Sequence, residues 1–153
     1  MDELGCLDLL NSFHRVVVPE AVCEEVRKHR PNVFVSAHPA FVIVSVNDRH
    51  DAAVDTVGQV MQLHAGEREA LLATRTTPES ILLTDDAAAR FAARTLGVQA
   101  HGTIGIVVRS IRVGQRTKDE ALGILRSIRG RSTLFVSDRI LDEVIAKVEQ
   151  RAS

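Results

Sequence analysis

Two periods alternate in the hydrophobic pattern of this chain. Short unbroken apolar runs, Val16-Val17-Val18, Phe41-Val42-Ile43-Val44 and Ile81-Leu82-Leu83, read as strands buried on both faces. Between them apolar residues recur at three- and four-residue spacing, which predicts helices. The first such face, Leu4, Leu7, Leu9, Leu10 and Phe13, starts a helix almost at residue 1. A strand over 15–19 follows, and Pro19 suits the first turn of a helix over 19–29. The next strand covers 40–46. Val54, Val57, Val60, Met61 and Leu63 mark another helix, and 67–74 a further one with Gly66 at its start.

The stretch at 81–86 organises the rest. Ile81 to Leu83 predicts a central strand with Leu83 fully buried, and Asp85 and Asp86 close it. A helix over 87–96 follows, with Gly97 as its C′ residue. A short strand at 98–101 leads to Gly102-Thr103, which opens a helix that Gly114 closes. Thr117 and Glu120 form a capping box for a helix ending near Arg129. Residues 134–136 read as extended, and Ser137 caps a last helix. Strands alternating with helices predict an α/β fold with a mostly parallel sheet and helices on both faces.

At 153 residues the expectation is one domain spanning 1–153. The net charge of −1 points to no global field for nucleic acid. Basic charge is nearly all arginine, 16 against three lysines, and guanidinium forks suit phosphates as well as surface ion pairs. Cys6 and Cys23 form no CxxC and read as core thiols of a reducing compartment. With no charged leader and no apolar run of about 20 residues, the expected location is cytoplasmic, without a membrane anchor. Six scattered histidines form no zinc pattern. Serine-hydrolase and P-loop motifs are absent from the sequence.

Acids stand at strand ends and on inward-turned helices: Glu24 or Glu25, Glu67 or Glu69, Asp85 or Asp86. Carboxylates gathered without Cys or His suit hard cations such as Mg²⁺ or Mn²⁺. A pair of such ions activates water and stabilises a phosphodiester's leaving oxygen. The same residue types also serve as helix caps, and Asp86 directly precedes a helix.

Four segments in register resemble a family. Val17-Val18-Pro19-Glu20-Ala21-Val22-Cys23-Glu24-Glu25-Val26 is similar to the P-E-A-V-x-x-E-L segment of PIN-domain proteins. Leu63-His64-Ala65-Gly66-Glu67-Arg68-Glu69-Ala70 is similar to their G-E-x-E-A, Leu82-Leu83-Thr84-Asp85-Asp86 to their L-L-x-D-D, and His101-Gly102-Thr103-Ile104-Gly105-Ile106-Val107 to G-T-L-G-V-L. The likeness is to a VapC-related branch labelled nucleic-acid-binding. It implies a PIN-like three-layer α/β/α sandwich and a metal-dependent endoribonuclease using Mg²⁺ or Mn²⁺. It also implies RNA as substrate and, for a toxin, an antitoxin partner. Carried over, Glu25, Glu69 and Asp86 match family acids that act in catalysis and hold metal, with Asp85 and Glu67 as neighbouring ligands.

The chain departs from the family pattern at its start. The family's first acid ends an N-terminal strand, in an Asp-Thr-Ser or Asn-Thr-Ser context. Here the match begins with the helix after it, and neither Asp2 nor Asp8 corresponds. The expectation is an N-terminally incomplete domain, with a gap between the strands at 16–18 and 81–83 that favours association into a homo-oligomer. The alternative is a degenerate PIN-like module that binds RNA or a protein without cleaving.

Three further residues are candidates for nucleic-acid contact. Arg90 and Arg94 share one helix face after the acid turn, and Thr103 stands at a helix start, where phosphates bind. Thr103 equally suits an N-cap, and the arginines a solvated face. The same holds for the stripe Arg109, Arg112 and Arg116 and for Arg126 and Arg129.

Overall fold

Val16–Pro19 (β1) and Phe41–Val44 (β2) pair in parallel, Val16 opposite Phe41 and Pro19 opposite Val44. Leu82–Leu83 (β3) and Ala100–His101 (β4) form a second parallel pair. The structure is a computed structural model and describes residues 1–31, 41–131 and 136–150. It divides into two compact units, residues 13–102 and residues 1–12 with 103–153. The chain is mixed α/β, as the alternating pattern predicts. In the described residues, however, the strands form two short ladders rather than one sheet. β1 and β3 are not bonded to each other, and no described strand lies between them.

In the unit 13–102, Glu20–His29 (α1), Ala52–Val60 (α2), Ala65–Arg75 (α3) and Ala87–Thr95 (α4) surround the strands. α3 is the hub, packing on α1, α2, α4, β1 and β3. The core there is Val54, Leu63, Leu71, Leu82, Ala89, Ala92 and Ala93. Three alanines on the inner face of α4 let its backbone approach closely. Side chains alternate along a strand, so only one of the β3 leucines can face this cluster. It is Leu82, 4% exposed, and not Leu83, which is half-buried. The face that carries Leu82 is the one the helix cluster covers. Leu82 N–H donates to Gln99 O (2.9 Å) and Thr84 N–H to His101 O (3.0 Å), so the amide and carbonyl of Leu83 point away from β4.

In the other unit, Thr103–Arg112 (α5), Lys118–Arg131 (α6) and Asp138–Gln150 (α7) pack in sequence, α6 against both neighbours. The expected capping box is present: Thr117 N–H donates to Glu120 Oε2 at 2.7 Å, and Glu120 N–H to Thr117 Oγ1 at 3.2 Å. The N-terminal segment departs from expectation. It forms two 3₁₀ helices, Asp2–Leu4 and Leu7–Ser12, in place of one α-helix. Gly5, at φ +63°, breaks the segment between the two pieces. The expected extended segment at 134–136 falls mostly outside the described residues. Among the described residues no helix is long and apolar enough to cross a membrane.

Candidate functional site

α1 begins without a side-chain cap, because its N-cap is Pro19. The first N–H groups of a helix need acceptors. One comes from another helix: Glu69, on α3, accepts the Ala21 N–H through Oε2 at 3.0 Å. Glu25 lies on the same seam one turn further along α1. Its Oε2 would stand 3.2 Å from a Cβ placed on Gly66, as would Val22 Cγ2. The buried Gly66 therefore admits both α1 and the Glu25 carboxylate against the first turn of α3. Two carboxylates named from the sequence thus share the α1–α3 seam. Glu67 does not join them through the oxygen that is engaged. Its Oε2 turns back on its own helix and accepts the His64 N–H at 2.9 Å, as a capping-box acid does.

The second pair of acids closes β3. Asp86 is the N-cap of α4, its Oδ1 accepting the Ala89 N–H at 2.7 Å. Thr84 Oγ1 accepts the Asp86 N–H at 3.2 Å and so fixes the turn. Asp85 Oδ1 would stand only 2.6 Å from a Cβ on Gly102, and Arg90 Nη1 3.7 Å from the same point. Only glycine at 102 leaves room for the carboxylate in this position.

Four of the five acids thus lie in two places within one unit, and Glu67 caps its own helix. Among the described residues no group of three or more His, Cys, Asp or Glu could hold a metal ion. These residues alone do not compose a complete ligand set. The capping roles leave some capacity, since a carboxylate has two oxygens and about four lone-pair sites. Glu69 and Asp86 each have one oxygen engaged with an N–H.

The basic candidates separate sharply. Arg109 donates to the Ser12 hydroxyl, and Arg116 pairs with Asp8 at 2.5 Å. Arg126 pairs with Glu149, and Arg129 with Asp138 and Asp142. Hydrogen bonding by Asp142 raises the pKa of Arg129. The expected stripe is therefore largely consumed within its own unit. Thr103, the first residue of α5, is 4% exposed and not displayed at the surface. Arg90 and Arg94 are exposed on α4. With Phe91 they line a cavity of about 460 Å³, walled by Ala87, Val98 and Ala100. Phe91 is the residue that sequence reading missed. Its position beside Arg90 and three before Arg94 was visible, but a phenylalanine in an apolar-rich helix reads as core until its neighbours are placed.

A PIN-domain family model matches residues 1–150 of this chain. The chain belongs to the PIN-domain family. No curated protein and no solved structure matched it. PIN domains are usually nucleases and generally use divalent metal ions, which places this PIN domain in a nuclease-type group at a coarse level.

Proposed function

We propose that this PIN domain is an endoribonuclease dependent on Mg²⁺ or Mn²⁺, with Glu25, Glu69 and Asp86 as its acids and Asp85 and Glu67 beside them. The observation that carries the reading is that the family match spans nearly the whole chain while its acids fall in one compact unit. Glu25 and Glu69 both lie along the α1–α3 seam, and Asp85 and Asp86 close a strand at its carboxyl end, where α/β folds build their sites. The reading requires the two pairs to converge further than they do here. Freeing a helix cap costs only about 1 kcal/mol, so the caps seen at Glu69 and Asp86 do not forbid it. A toxin role with an antitoxin partner, self-association and a cytoplasmic site of action belong to the same reading.

A second reading is a module that binds RNA or a protein without cleaving. It is favoured by the capping of Glu69, Glu67 and Asp86 and by the lack of a matched first acid. One experiment separates the two. The purified chain is incubated with RNA in Mn²⁺, in Mg²⁺ and in EDTA, beside Asp86→Asn. Metal-dependent cleavage lost in the variant upholds the nuclease. Binding without cleavage under every condition leaves the second reading.

A further inference from the structure

α4 turns two chemistries in opposite directions. Its inner face is Ala89, Ala92 and Ala93, all at most 2% exposed, and these complete the core without help from a larger residue. Its outer face carries Phe91, 46% exposed. Burying a phenylalanine side chain is worth about 1.5–3 kcal/mol, and here much of that surface remains open. Arg94 stands over the ring, its guanidinium carbon 5.2 Å from the centroid, within the range of a cation–π contact. Arg90 comes from the preceding position and reaches toward Gly102. Elsewhere in this unit Arg68 pairs with Asp55 and Arg75 with Asp51. Arg94 has no such carboxylate partner among the described residues.

The cavity therefore offers an aromatic face, two exposed guanidinium groups, that of Arg90 beside the Asp85 carboxylate at Gly102, and apolar walls from Ala87, Val98 and Ala100. Its volume of about 460 Å³ lies within the ordinary range for small-ligand sites. A ligand that satisfies all three features is planar on one side and anionic on the other. We propose that this cavity takes one nucleotide of single-stranded RNA, with its base stacked at Phe91 and its flanking phosphates met by Arg90 and Arg94. The proposal rests on the reading that this PIN domain acts on RNA. Stacking is available to every base, so the subsite is tolerant of sequence. A base inside a duplex is not free to enter it, so the subsite selects unpaired strands. Its position also relates it to the acids. Asp86 caps α4 four residues before Arg90, an axial rise of about 6 Å. A nucleotide held at Phe91 thus brings a neighbouring phosphodiester beside the turn that carries Asp85 and Asp86.

The test is fluorescence anisotropy with a labelled eight-nucleotide single-stranded RNA in EDTA, so that binding is read without cleavage. The chain is compared with Phe91→Ala, Phe91→Trp and Arg90→Gln/Arg94→Gln. All the substituted side chains are exposed, and circular dichroism confirms that each variant is folded. Loss of one stacked base is expected to weaken binding by roughly 5- to 150-fold in Phe91→Ala, while Phe91→Trp retains it. The double arginine variant is expected to reduce the slope of log affinity against log salt by about 1.4, two phosphate contacts at about 0.7 each. Wild-type binding that Phe91→Ala leaves unchanged overturns this subsite while the RNA reading stands. Equal affinity for a duplex of the same length overturns it as well. Failure of the wild-type chain to bind RNA overturns the RNA reading and the subsite with it.

Discussion

Glu69 and Ala21 join two helices through one hydrogen bond: the Glu69 carboxylate accepts the Ala21 N–H at 3.0 Å, 48 positions away in sequence. Proline at the N-cap of α1 supplies no side-chain oxygen, and Glu69 takes over that role. The acid named as a metal ligand is therefore also a structural cap. Glu69→Ala is expected to lower stability by about 1 kcal/mol, and Glu69→Gln by less, because the amide still accepts while only the charge at the helix N-terminus is lost. Urea melts of the two variants check this. An alanine variant as stable as the glutamine variant would contradict the cap.

Asp86 makes the same kind of bond within its own helix, to Ala89 N–H at 2.7 Å. Asparagine is as good an N-cap as aspartate, and alanine is much poorer. Asp86→Asn is expected to unfold within about 0.5 kcal/mol of the wild type, and Asp86→Ala about 1 kcal/mol below it. The asparagine variant thus removes charge at constant stability, which makes it the proper probe of Mn²⁺ affinity. Unchanged Mn²⁺ affinity by calorimetry would exclude Asp86 as a ligand.

The two leucines of β3 are expected to differ. Leu82 packs with Leu71, Val54 and the alanines of α4 at 4% exposure. Leu82→Ala should cost about 2–5 kcal/mol, and Leu83→Ala less than half of that, because Leu83 is only half-buried. Equal losses in denaturant melts would show that the alternation is not as described.

Asp51 caps α2, accepting from Ala53 N–H and Val54 N–H at 2.9 and 3.2 Å, and pairs with Arg75 at 2.7 Å. The hydrogen bond from Arg75, followed by that from Val54, holds its pKa below the ordinary 3.8. A folded-state pKa below the unfolded one means the stability is fully present above the unfolded value and is lost as pH falls through the lower folded one. The wild type is thus expected to lose stability below pH 3.8 more steeply than Asp51→Asn. Urea midpoints measured between pH 5 and pH 2.5 give the comparison, and parallel curves would refute it.

Elements and caps were legible in the sequence because they are local. Val16–Pro19, the helix after Pro19, the acid turn at Asp85 and Asp86, the Thr117–Glu120 box and the stop at Gly97 each follow from residues within a few positions of one another. Backbone sterics and side-chain-to-backbone bonds decide these, and both act over one turn. The family was legible for a similar reason, since its motifs are short and occur in order. The start of the chain differs in type: five apolar residues at helical spacing predict a continuous helix, but the stretch forms two 3₁₀ pieces on either side of Gly5.

Tertiary structure decided everything that depends on two distant segments meeting. No local pattern says that Glu69 caps α1, that Gly66 admits Glu25, or that Gly102 makes room for Asp85. Which leucine of β3 is buried depends on which face α3 and α4 cover. Which arginines stay uncommitted depends on where the acids fall: Arg116 finds Asp8, 108 positions away, while Arg94 forms no ion pair among the described residues and stands over Phe91 instead. Charge and apolarity are written in the sequence, but their availability is set by packing, because an N–H, a ring or a guanidinium can act on a ligand only where the fold has not already given it a partner.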